Sequence, residues 1–347
     1  MKKTIVLIAA LLSCCLAYSQ EANSSATQGD LTVIPRLCLD PAFYSGDGAE
    51  FSLGESALYT LFEGNLGEKF SFSFQNHWLS TYTADLYTNN FRPYAGNWMD
   101  VGYLKFHSGN FFVLGGKDAL KVCNFENDEY DFDVHWQLCS QLWSNFNVYQ
   151  LGGSAGYQNE DETTTIGVQF TASPQTLRPF EGGYAASVFA DKEFDSSRLI
   201  AAALYVKNWT TIFSAGYQYY FDDLTVSLSG YATTESASSC CGIFSVMKEW
   251  DKLDLTAKVG VESMSMGSPL SSYEIPGLWS SDLVTASAAY AMSKVRCTDV
   301  YSGLILNWYP LAGSKDLRIH AMGGYNGTEG ALLFSIGATY FLNINLF

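Results

Sequence analysis

Apolar and polar residues alternate with a period of two along most of the chain. The clearest stretch runs from Lys252 to Met264. Leu253, Leu255, Ala257, Val259 and Val261 fall in one phase there, and Asp254, Thr256, Lys258, Gly260 and Glu262 in the other. Leu224, Val226 and Leu228 alternate likewise with Thr225, Ser227 and Ser229, and Phe70, Phe72, Phe74 and Trp78 oppose Ser71, Ser73, Gln75 and His77. The last segment sets Leu332, Phe334, Ile336, Ala338, Tyr340, Leu342, Ile344 and Leu346 against a mixed face with Ser335, Thr339, Asn343 and Asn345. A period of two puts successive side chains on opposite faces of a strand. Globular strands average about five or six residues, whereas strands that cross a membrane take about ten. These runs are of the longer kind.

Alternation alone does not say which face meets water. A soluble sandwich hides its apolar face, and a membrane barrel turns that face to lipid and lines its lumen with the polar one. Strand length, low charge and aromatic residues near strand ends favour the barrel. Tyr217, Tyr219 and Phe221 precede Asp222-Asp223, and Trp308-Tyr309 precede Pro310, as in the aromatic girdles at membrane surfaces. Counting segments predicts an all-β fold, a sixteen-stranded antiparallel transmembrane β-barrel, with strands running from 31–39 to 331–346. The even count rests on placing the alternating stretch 283–292 inside a surface loop. Connections then alternate short and long, the expected asymmetry of periplasmic turns and outer loops, with a short junction near Asn208 as the exception.

The chain has 347 residues, of which 48% are apolar, 15% aromatic and only 16% charged, and its net charge is −16. That charge argues against a nucleic-acid partner, which calls for clustered Lys and Arg. Met1-Lys2-Lys3 followed by Ile5 to Leu12, with Ala17 and Ser19 before Gln20, reads as a signal peptide over 1–19. A lipid-attachment site at Cys14 is a weaker reading because Leu12 is bulky. A short periplasmic segment over 20–30 would lead into one barrel domain over 31–347. No later stretch has eighteen consecutive apolar residues, so no helical span is expected. The expected location is a bacterial outer membrane, with lipid as the partner of the apolar face.

The third outer connection, about Asp118 to Ser144, carries Glu126, Asp128, Glu129, Asp131 and Asp133, five carboxylates within eight positions. A barrel of this size encloses a lumen its wall side chains cannot fill. A long aromatic-rich loop folded inward would narrow it, and acidic residues in a constriction favour cations. A solvated surface loop is the bland alternative. A calcium site is a third reading, without EF-hand spacing or its glycine to support it. In the polar phase of the wall, Lys69, Lys258, Arg318 and His320 are the expected lumen-facing basic residues.

Gly115-Gly116-Lys117-Asp118, the acidic Phe125-Glu126-Asn127-Asp128 segment, Asn145 to Gly152, and Leu317-Arg318-Ile319-His320-Ala321 together resemble porins of Bacteroides-type bacteria. These are grouped with the phosphate-selective porins O and P. The resemblance implies a sixteen-stranded outer-membrane pore, a homotrimer, with an inward-folded third loop. It also implies a ladder of basic lumen residues for phosphate, which a chain with 35 acidic against 19 basic residues does not advertise. No phosphate preference is therefore expected.

Six cysteines follow the signal segment: Cys38, Cys123, Cys139, Cys240, Cys241 and Cys297. Cys123 and Cys139 share the third loop and could staple it; free thiols are the alternative. No spacing suggests a metal or a cofactor, and no Gly-x-Ser-x-Gly elbow is present. The expected role is passive diffusion of small hydrophilic solutes or ions rather than catalysis. A plugged surface barrel, binding or structural through its outer loops, is the alternative, and the long Ser265–Val300 connection is the feature that keeps it open.

Overall fold

A computed structural model of the chain describes residues 27–44, 48–53, 56–80, 99–122, 124–128, 138–140, 142, 148–174, 179–180, 183–234, 239–265, 296–327 and 330–346. The chain forms one antiparallel sheet of eighteen hydrogen-bonded segments. Two of these continue a neighbour across a short break, so the sheet closes as a barrel of sixteen strands. In chain order they are β1 (Thr27–Tyr44), β2 (Gly48–Ser52 and Ala57–Leu66), β3 (Phe70–Ser80) and β4 (Met99–Ser108). β5 (Phe111–Ala119), β6 (Tyr149–Gln158), β7 (Thr164–Ala172) and β8 (Tyr184–Phe194) follow. Then come β9 (Ser197–Val206), β10 (Thr210–Phe221), β11 (Leu224–Thr233) and β12 (Ser239–Glu249). β13 (Leu253–Ser265), β14 (Arg296–Trp308), β15 (Leu317–Asn326) and β16 (Ala331–Tyr340 with Leu342–Asn345) complete the circuit.

Each strand pairs with its sequence neighbours, and β1 closes the ring. It pairs with β2 through Thr27↔Leu66 to Arg36↔Ala57, and with β16 through Arg36↔Thr339 and Asp30↔Asn345. Closure removes every free sheet edge, which a sheet in lipid requires. β1 begins at Thr27 rather than 31, because residues before Leu31 still find partners in the end of β2. The junction at Lys207-Asn208-Trp209 is short, as expected, and Asn208 adopts the left-handed conformation (φ 63°) that a short polar side chain tolerates. The stretch 283–292 and Phe347 lie outside the described residues.

Exposure decides which face is which. On β11, Leu228 is 60% exposed while Ser227 is 3% exposed. On β7, Ile166, Val168 and Phe170 are exposed and Gln169 and Thr171 buried; on β13, Val259 and Val261 are exposed and Lys258 and Glu262 buried. The apolar phase points outward around the wall, and the polar phase points in. That is the inverse of a soluble sandwich and the pattern of a lipid-facing barrel. At one barrel end the strands are joined by tight turns. In one of them the Lys248 ammonium bonds to Asp223 and holds its exposed carboxyl below the usual carboxylate range.

Candidate functional site: the barrel interior

The interior is not uniformly polar. On β9 the inward residues are Ile200, Ala202, Leu204 and Val206, all buried. Ile212 on β10, Ile243 on β12, Ile305 on β14 and Met322 on β15 extend this apolar arc. What covers it is the connection after β5: Leu120, Val122, Leu138 and Leu142 pack into the same cluster. The Val122 carbonyl accepts a hydrogen bond from the Ser214 hydroxyl on β10. A one-turn helix, α1 (Phe125–Asp128), follows.

Glycines on the wall make room for this segment. A Cβ at Gly216 would lie 2.7 Å from the Phe125 ring, and one at Gly303 or Gly324 would lie 2.4 or 2.5 Å from the Leu138 side chain. The Arg198 guanidinium sits 6.0 Å from the Phe125 centroid. The described parts of the third connection therefore lie against the inner wall.

Glu126 is the polar centre of that contact. Its Oε1 accepts from Lys258 Nζ at 2.7 Å and from the Tyr301 hydroxyl at 3.1 Å. Ser140 donates its backbone N–H to Oε1 at 3.1 Å and its hydroxyl to Oε2 at 2.5 Å. Glu126 and Lys258 both have side chains with 0% exposure. A buried charge pair is tolerable only when such additional hydrogen bonds satisfy its remaining lone pairs and protons. Tyr301 reaches this position by lying over Gly260, where any Cβ would stand 2.0 Å from its ring. Beside the pair, Tyr231 donates to Glu262, and Cys241 Sγ lies 3.8 Å from the Tyr301 hydroxyl.

Among the described residues, two cavities remain elsewhere in the lumen. A cavity of about 260 Å³ lies between the base of the third connection and β4, β5 and β8, lined by Tyr103, Lys105, Phe112, Lys121, Phe189 and Asp191 among others. Lys121 pairs with Asp118 at 3.4 Å, and Arg198 with Asp191 at 2.6 Å. A second cavity of about 330 Å³ lies beside β1–β4 and includes Asp30, Glu63, Asn65 and Tyr103.

The expected site residues distribute unevenly over this interior. Lys258, Arg318 and His320 point inward and are buried. Arg318 donates to the Thr339 hydroxyl at 3.4 Å, and His320 Nε2 lies 3.0 Å from the Ser335 hydroxyl. Lys69 does not join them: it sits in the exposed turn between β2 and β3, because β3 starts one residue later, at Phe70. Glu126 is enclosed at the wall rather than open to water, since its charge is taken up by Lys258. Asp128 ends α1, while Glu129, Asp131, Asp133 and Cys123 lie outside the described residues; Cys139 is buried next to Ser140. Among the described residues no cluster of three or more metal-ligating side chains occurs. Lys105, Asp118, Asp191 and Tyr301 were missed, although wall glycines facing a long loop are a readable sign of a packed contact.

No protein-family model matches the chain, and no curated protein matches it. Solved structures do. The outer membrane channel DcaP of Acinetobacter baumannii superposes with a TM-score of 0.60 at 9% identity, over 92% of this chain and 99% of that one. OmpF of Salmonella typhi, solved in a complex with daunomycin, gives 0.59 at 10% identity over 92% and 99%. OmpT of Vibrio cholerae, an outer membrane protein, gives 0.57 at 12% identity over 92% and 99%, and has also been solved in a trimer form. The fold is thus the sixteen-stranded antiparallel barrel of outer-membrane porins. At these identities the likeness is one of architecture.

Proposed function

We propose that the chain is an outer-membrane porin that lets small hydrophilic solutes or ions diffuse passively. It would stand among the Bacteroides-type porins grouped with the phosphate-selective O and P class, but without a phosphate preference. The observation that carries this reading is the inverted wall, apolar outside and polar inside, around a lumen in which the described residues leave a cavity beside the base of the third connection. In this reading Glu126 anchors the loop, and Asp128, Glu129, Asp131 and Asp133 supply the negative potential of the constriction, favouring cations. A Cys123–Cys139 disulfide would staple the same loop. Three copies associate, as in the trimer form of the Vibrio cholerae protein.

Purified protein in liposomes should admit arabinose in a swelling assay, and a planar bilayer under a potassium chloride gradient should give a reversal potential of weakly cationic sign. The plugged alternative draws on the apolar cluster that joins the loop to the wall. It predicts no swelling with any sugar, and that result would sink the porin reading.

A further inference from the structure

Lys105 stands apart from the other cations around the open cavity. Asp118 and Asp191 are each already engaged by a cation, Lys121 and Arg198. Lys105 Nζ instead bonds to a neutral partner, Gln158 Oε1, at 2.9 Å, and no carboxylate among the described residues lies within ion-pair distance of it. Its ammonium lies 4.7 Å from the centroid of Phe112, beside the cavity. Phe112, Phe189 and Tyr103 line the same space. Lys105 thus makes no ion pair among the described residues, with Glu162 and Asp118 acting on it only from farther away, and it is flanked by aromatic faces.

We propose that this cavity is a binding station for a small organic monoanion that carries a flat apolar ring, its carboxylate on Lys105 and its ring against Phe112 and Phe189. A volume of about 260 Å³ falls below the range of roughly 300–1,000 Å³ of sites for drug-sized ligands, so a single-ring acid is the appropriate size. An inorganic anion would meet the same ammonium but leave the aromatic walls unused. A neutral ring would use the walls and leave the cation without its partner. The station rests on the pore reading and deepens it, because a solute that crosses the lumen would meet it.

Equilibrium binding to the full-length barrel in detergent tests the site without relying on conduction. Three probes are compared by calorimetry: benzoate, benzamide and inorganic phosphate. Benzoate should bind at least about tenfold more tightly than either of the others, the loss expected when one charge-assisted hydrogen bond or one aromatic contact is missing. Lys105→Met should weaken benzoate by about tenfold, and Lys105→Arg should restore most of it. Phe112→Leu should weaken benzoate and leave phosphate unchanged. The proposal fails if phosphate binds as tightly as benzoate, or if folded Lys105→Met binds benzoate as well as the native chain. The comparison of three probes on the native chain stands even where a variant does not fold. A barrel that binds benzoate but admits no arabinose into liposomes would keep the station and lose the pore.

Discussion

Lys258 and Glu126 share one bond at 2.7 Å with neither side chain exposed, and each depends on the other for its charge. Lys258→Met leaves Glu126 buried with no opposite charge, a change that costs roughly 3–5 kcal/mol when one partner of such a pair is removed. Its expected signature is a lower urea midpoint and a noisier single-channel current, as the loop loses its hold on β13. Adding Glu126→Gln should recover most of both, since the amide leaves no buried charge behind. If the double variant is as unstable as Lys258→Met, the pair is not what holds the loop. Gly260→Ala tests the same contact from beneath: its methyl would strike the Tyr301 ring and displace the hydroxyl from Glu126. A loss of stability of about 1–3 kcal/mol is expected from such overpacking, read from the same urea midpoint. The phase of β13 alone sets Lys258 opposite the apolar face of its strand. Its partner was not legible there, because residues 132 positions apart meet only when the loop folds back.

Strands divide their residues between two solvents, so one substitution has opposite consequences on neighbouring positions. Leu228, near the middle of β11, faces outward, and Ser227 faces in. Leu228→Lys should destabilise the barrel in lipid vesicles by about 2–4 kcal/mol if it lies at the bilayer midplane, whereas Thr225→Lys, at a partly buried position in the same inner phase as Ser227, should cost much less and shift the reversal potential toward anions. Equal loss of stability from both would contradict the assignment of faces. The strands were readable because period two is local, carried by each residue and its second neighbour. Their ends were less so. β1 starts at Thr27 and β3 leaves Lys69 in a turn, since pairing with the next strand rather than the pattern within a strand decides where the ladder stops.

For the whole molecule, closure of β1 onto β16 is what turns alternating strands into a lumen with an inside. Leu120, Val122, Leu138 and Leu142 cover the apolar arc on β9–β15, and among the described residues the cavity beside β4, β5 and β8 is left unfilled. If the proposed constriction lies beside that cavity, replacing Asp128 and the three acidic residues after it with amides should move the reversal potential toward zero. Glu126→Gln alone should change selectivity less than those four together, since Lys258 already neutralises Glu126. The sequence by itself determined the strands and their number, because alternation and turn length are written in neighbouring positions. Only the tertiary structure decided which phase faces out, that Lys258 takes up the charge of Glu126, and that Lys105 stands beside a cavity with a neutral hydrogen-bond partner. Those depend on pairs distant in the chain, and charge compensation exists only once closure has brought them together.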